Sequence, residues 1–147
     1  ELGLMFAARS QHLAECIQPA LARGDWVICD RFTDSTYAYQ GGGRGMSETL
    51  IAQFEQLTLN GFQPDLTVLL DVPIAIGLAR AAQVGAPDRF ESEQHAFFER
   101  ARATFLSRAK AQARTKIIDA SQSQATVQRV VLSLVEHHWR SLQGHQP

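Results

Sequence analysis

The sequence has 147 residues, with 14 basic side chains against 15 acidic ones and 45% hydrophobic content. These values describe one globular domain and exclude a disordered, collagen-like or strongly basic nucleic-acid-binding chain. No run approaches the roughly 18 apolar residues of a spanning helix, and Glu1-Leu2-Gly3-Leu4 lacks the basic start of a signal peptide, so a cytoplasmic protein with no membrane partner is expected. Cys16 and Cys29 are too few for a disulfide framework and read as small core residues.

Helical apolar spacing opens the chain, through Leu4, Phe6, Leu13, Cys16, Ile17 and Leu21, with Pro19 as a kink and Gly24 as a stop. No capping residue begins this helix, so a further N-terminal portion is expected to precede Glu1. Trp26-Val27-Ile28-Cys29-Asp30 is a nearly continuous apolar run of the kind found in strands buried on both faces. Helical spacing resumes from Ser47 to Leu59 and stops at Asn60-Gly61. Leu66 to Asp71 is a second buried-strand run, followed by a helix over Pro73–Val84. A long helix is expected from Ser92 to about Ala113, then a short strand, Lys116 to Asp119. Ser121 and Gln124 have capping-box spacing and place the start of a final helix at Ser121, reaching about Leu142.

Strands alternating with helices predict an α/β fold, a parallel sheet with helices on both faces. Ligands then sit beyond the carboxyl ends of the strands, where Asp30, Asp71 and Asp119 fall. Asp71 serves equally as a helix cap. Asp30-Arg31 offers a carboxylate for a hydrated magnesium ion and a guanidinium for phosphate; a structural salt bridge accounts for the pair as well. Thr36, Tyr39, Gln40 and the Gly41-Gly42-Gly43-Arg44-Gly45 loop add hydroxyls, an amide and flexible backbone within a few residues. That loop lacks the Gly-x-x-x-x-Gly-Lys-[Ser/Thr] spacing of a P-loop. Between Arg80 and Lys116 eight basic residues face four acidic ones, a local excess suited to a small anionic ligand or to a solvated helix face.

Phe6-Ala7-Ala8-Arg9, Asp30-Arg31-Phe32, Ser35 to Gly45, Pro64 to Asp71 and Asp88-Arg89-Phe90-Glu91, in that order, resemble bacterial thymidylate kinase over essentially the whole chain. The resemblance implies a three-layer P-loop kinase-like fold in a single nucleoside monophosphate kinase domain over residues 1–147. The family's N-terminal strand and P-loop have no counterpart in the sequence, so the chain alone is expected to be inactive. The implied reaction transfers the γ-phosphoryl group of ATP to dTMP, with Mg2+, to form dTDP. Two other readings stay open, a non-catalytic nucleotide-binding fragment and a deoxynucleoside kinase acting on thymidine.

Residue by residue, the resemblance assigns Arg9 to the thymine O4 and Phe6 to stacking on the base, although many relatives carry that aromatic at the position of Met5. Core packing is the alternative for Phe6. Thr36 and Gln40 match positions at the thymine edge, and Tyr39 matches a tyrosine that crowds the sugar 2′ position. Arg31 matches the arginine on the dTMP phosphate, and Asp30 the carboxylate near magnesium and the phosphates. Residues 80–91 match a mobile lid, with Arg89 over the transferred phosphoryl group and Arg80 second to it. The remaining basic residues after Ser92 are expected on solvated helix surface. Asp119 and Ala120 match the loop beside the ATP adenine. The family also implies a homodimer formed by helix packing.

Overall fold

The computed structural model describes residues 1–83 and 92–143, in two units: residues 1–63 with 99–105, and residues 64–98 with 106–147. In the first unit, Pro19 shapes the opening element. A proline ring inside an α-helix collides with the carbonyl four residues earlier, here that of Glu15. The chain meets this by running as α1 (Leu2–His12), a widened π segment (Leu13–Ile17) and then α2 (Gln18–Ala22). The Gln18 N–H accordingly donates to the Leu13 carbonyl, five residues back rather than four. Gly24, at φ 84°, ends the helix.

Leu2, Phe6, Leu13 and Ile17 form one stripe of this helix and pack with Tyr37, Ile51 and Leu59 as the unit's core. Ile51 and Leu59 lie on α4 (Glu48–Leu59), which packs against α1. Ser47 caps α4 by accepting from the Leu50 N–H at 3.4 Å, and Asn60 ends it in the left-handed conformation at φ 49°. The sequence places that helix correctly because both ends carry local signals.

Residues 26–30 depart from expectation. They form no strand, Trp26 is half exposed and Ile28 is 96% exposed. A buried strand needs a hydrogen-bonded neighbour on each side, and the only ladder among the described residues joins two other segments. Cys16 and Cys29 are both exposed rather than core residues, Cys29 because it lies in this segment outside the sheet and Cys16 because it lies off the buried stripe.

Further along, α3 (Thr33–Thr36) passes directly into a second π segment (Tyr37–Gly43). Gly41–Gly43 are therefore not flexible loop. A Cβ at Gly42 would collide with Thr104 Oγ1 and come 3.0 Å from the Arg100 carbonyl, so glycine is what allows this backbone to touch α6 (Ser92–Ala111). Arg100 donates to the Gly43 carbonyl at 2.8 Å, and Phe105 meets Tyr39 edge-to-face at 5.7 Å. Arg100 is exposed on α6, as expected, and its guanidinium also satisfies a carbonyl at the open end of the second π segment.

The second unit carries the sheet. β1 (Thr67–Asp71) and β2 (Thr115–Asp119) run parallel in the register Thr67↔Thr115 through Asp71↔Asp119. Between them come α5 (Ile74–Gln83) and α6, and α7 (Gln124–Gln143) follows β2. This is the expected α/β arrangement, a parallel sheet flanked by helices. Arg114, partly buried in the turn before β2 rather than on helix surface, donates to the Thr67 hydroxyl at the start of the ladder. The final helix begins later than its capping-box spacing suggests. Ser121 donates instead to Asp119 Oδ1 at 2.6 Å, and Ser123 accepts from the Thr126 N–H at 3.3 Å, the true cap. No helix among the described residues is long and apolar enough to cross a membrane.

Candidate functional site

Most of the site residues named from the sequence lie in the first unit. Phe6 is fully buried, stacked at 22° and 5.9 Å on Phe54, and the Arg9 guanidinium lies 5.4 Å from its ring centroid. Of the two roles open to Phe6 in the sequence, this geometry is core packing, with the ring as a floor beneath Arg9. Met5 is only partly buried.

Arg9 is half-buried, and its Nη1 has no hydrogen-bond partner among the described residues. Burial pushes its pKa down from the ordinary arginine value, with the nearby Cys29 and Glu55 acting in the opposite direction. A guanidinium remains charged under any such shift, so a buried cationic donor faces the interior of this unit.

Three further buried polar atoms lack partners among the described residues: Thr33 Oγ1, Thr36 Oγ1 and Gln40 Oε1. Thr33, Thr36 and Gln40 follow i, i+3, i+7 spacing across α3 and the second π segment, which gathers them on one face. Buried polar groups are nearly always paired, and each unpaired one costs roughly 1–3 kcal/mol. Four in one small unit is a concentration that packing alone does not explain, and they offer one cationic donor, two hydroxyls and one carbonyl acceptor.

Arg31 stands beside this group. Its backbone lies at φ 65°, a left-handed conformation that costs a non-glycine residue about 1–3 kcal/mol and collects at functional sites. Its guanidinium sits 5.3 Å from the Tyr39 ring centroid, so the phosphate candidate and the sugar-crowding candidate are in contact. Asp30 is exposed. Among the described residues no three His, Cys, Asp or Glu side chains cluster to hold a metal. Magnesium commonly takes one or two carboxylates with waters and substrate phosphates, and a single exposed aspartate next to Arg31, the phosphate candidate, fits that mode.

The second unit brings together Arg80, Asp119 and Ala120. Arg80 donates to the carbonyls of Ala120, Ser121 and Gln122 at 2.6, 2.8 and 3.2 Å, clamping the turn after β2. Asp119 accepts from the Ser121 N–H and hydroxyl and from Gln122, and these bonds hold its carboxyl below the usual aspartate range. Arg80 closes the last turn of α5. Arg89 and the rest of the expected lid, residues 84–91, lie outside the described residues.

Sequence reasoning missed Thr33, Glu1 and Glu55. Thr33 was findable from its spacing to Thr36 and Gln40. Glu55 accepts from the Tyr37 hydroxyl at 2.6 Å and from Gln63 at 2.7 Å, and Glu1 accepts from Gln40 and Arg44; these are tertiary contacts with no local signal.

The family model for thymidylate kinase matches residues 1–131. Thymidylate kinase from Pseudomonas syringae pv. tomato is 60% identical over 129 residues, 87% of this chain and 61% of that protein. The Pseudomonas putida enzyme of the same name is 57% identical over 136 residues, 92% of this chain and 65% of that protein. Among solved structures, a crystal structure of thymidylate kinase from Ehrlichia chaffeensis superposes with a TM-score of 0.71 at 31% identity, covering 92% of this chain and 63% of that one. The chain thus spans less than two thirds of the length of these relatives.

Proposed function

The chain belongs to the thymidylate kinase family, and on that premise we propose that it binds dTMP and serves the transfer of the ATP γ-phosphoryl group to it. One observation carries the reading. Three of the four unpartnered buried polar atoms, Arg9 Nη1, Thr36 Oγ1 and Gln40 Oε1, belong to side chains that the family resemblance sets against the thymine edge.

A pyrimidine with two ring carbonyls and a ring N–H supplies complementary groups: acceptors for Arg9 and a threonine hydroxyl, a donor for Gln40. Admitting the ring requires the packing around these residues to part. The free energy for that comes from meeting groups whose isolation costs roughly 1–3 kcal/mol each. Phe6 supports Arg9 from beneath, Tyr39 flanks the sugar, and Arg31 takes the nucleotide's own phosphate, for which a guanidinium can make two parallel hydrogen bonds. Thymidine offers Arg31 no such group, which favours a monophosphate kinase over a nucleoside kinase.

Asp30 would hold Mg2+ near the phosphates, where the ion's charge offsets that of the nucleotides. The Arg80-clamped turn at Asp119–Ala120 would border the ATP adenine, with Arg80 acting through the turn's shape. A phosphate oxygen of dTMP attacks the γ-phosphorus, ADP leaves, and dTDP forms; the protein contributes position and cations rather than a nucleophile. Arg89, as the lid arginine, would complete the cationic set. Largely exposed Leu4 and Leu57, on the paired helices α1 and α4, support a homodimer formed through these helices. The reading takes small nucleotides as the ligands, with neither nucleic acid nor membrane as a partner, and places the reaction in the cytoplasm.

A coupled ADP-release assay tests it, on the chain alone and on the chain extended upstream by a P-loop segment. Turnover of dTMP, and not thymidine, by the extended form is expected. Thymidine turnover without dTMP turnover would favour the nucleoside kinase. Binding of dTMP without turnover in either form would favour the non-catalytic reading.

A further inference from the structure

Gln40 is anchored from outside the core by an ion pair that the proposed chemistry leaves unused. Arg44 Nη1 donates to Glu1 Oε2 at 2.6 Å, and Gln40 Nε2 donates to Glu1 Oε1 at 3.1 Å. We propose that Glu1 and Arg44 are positioning residues that lock the Gln40 amide with its oxygen turned inward, so that the site selects a pyrimidine carrying a ring N–H, as in thymine or uracil, over cytosine.

The argument starts from the carboxylate. An ionised Glu1 only accepts hydrogen bonds, so the amide atom facing it must be the NH2 group. A flipped amide would set a carbonyl oxygen against a carboxylate oxygen, two acceptors with no proton between them. Arg44 keeps Glu1 ionised: its hydrogen bond is the main cause holding that carboxyl below the usual glutamate range, and Gln40 adds to it. With the NH2 group committed outward, Gln40 Oε1 is left as a buried acceptor without a partner.

An acceptor fixed in this way discriminates at one ring position. In thymine and uracil N3 carries a hydrogen and donates; in cytosine N3 is a lone pair and would oppose Oε1. The neighbouring groups cannot make this choice. A threonine hydroxyl turns to donate or accept, and Arg9, set on the carbonyl at ring position 4, opposes the amino group that cytosine carries there but does not read N3. The choice at N3 is therefore set by a pair of exposed side chains, each 55% accessible, that lies outside the site. Exposed pairs of this kind contribute little to folding, so specificity and stability can be separated experimentally.

This inference rests on the reading of the chain as a dTMP-binding protein, and the test distinguishes the two. Calorimetric titrations with dTMP and dCMP are run on the chain and on Glu1→Gln, Glu1→Asp and Arg44→Lys, with thermal unfolding measured alongside. The unmodified chain is expected to favour dTMP by about tenfold or more. In E1Q a neutral amide can accept from Gln40 or donate to it, which frees the flip, and the preference falls by about threefold or more through a gain for dCMP, with the share set by Arg9 retained. E1D and R44K retain an accept-only group and a cation, and keep the preference. An E1Q protein that binds dTMP with the original dTMP-to-dCMP ratio overturns the inference alone. An equal loss for both nucleotides does so as well, since it marks a merely structural role. No binding of dTMP by the unmodified chain overturns the functional reading and this inference with it.

Discussion

Gly42 and Thr104 are in direct contact, although 62 positions separate them: a Cβ at Gly42 would collide with Thr104 Oγ1 and approach the Arg100 carbonyl to 3.0 Å. Gly42→Ala should therefore lower stability by about 1–3 kcal/mol, the usual cost of overpacking. Thr104→Ala in the same chain removes only the side-chain part of the collision, so chemical denaturation of the double variant should show partial recovery. A G42A protein as stable as the parent would mean that the second π segment does not rest on α6.

Arg9 separates binding from folding. Arg9→Ala is expected to weaken dTMP binding by about 1.5–3 kcal/mol, the scale of a hydrogen bond to a charged group. Arg9→Met keeps the volume over Phe6 while removing a buried donor without a partner, and stability should stay level or rise. Calorimetry and denaturation on both variants check the pair of outcomes; unchanged dTMP affinity would remove Arg9 from the site.

Much of the fold could be read because its signals are local. Ser47, Asn60 and Gly61 bracket α4 within the sequence itself, and the apolar run ending at Asp71 announces β1. What escaped was non-local. Residues 26–30 have strand composition, but a strand also needs a neighbour, and Ile28 is exposed instead. Gly41–Gly43 resemble a loop until α6 is brought against them. At the site, Arg9, Thr36, Gln40 and Arg31 were named through family resemblance. Thr33 shares the spacing of Thr36 and Gln40 and could have been added to them, whereas the Glu1–Gln40 contact joins partners 39 positions apart, which no spacing rule encodes.

Arg31 should distinguish a nucleotide from a nucleoside. Arg31→Ala is expected to cost dTMP about 1.5–3 kcal/mol in binding while leaving thymidine nearly unaffected, because only the former carries a phosphate to pair with the guanidinium. Equal losses for the two ligands would contradict phosphate recognition.

Asp119 predicts an acid-side dependence. Its carboxyl is held below the ordinary aspartate value, about 3.9, chiefly by the Ser121 hydroxyl. A depressed folded-state pKa stabilises above the unfolded value and loses that contribution as pH falls through the folded one. Denaturation of the parent chain and Asp119→Asn should therefore differ at pH 7 and converge as pH falls below the ordinary aspartate value, with no change between pH 6 and 8. Glu1 shifts in the same direction, and comparison with D119N isolates the Asp119 share.

The most direct test of the account is a crystal structure of the protein with bound dTMP. The pyrimidine edge is predicted within hydrogen-bonding distance of Arg9, Thr36 and Gln40, with the phosphate on Arg31. A nucleotide bound away from all four side chains would contradict it.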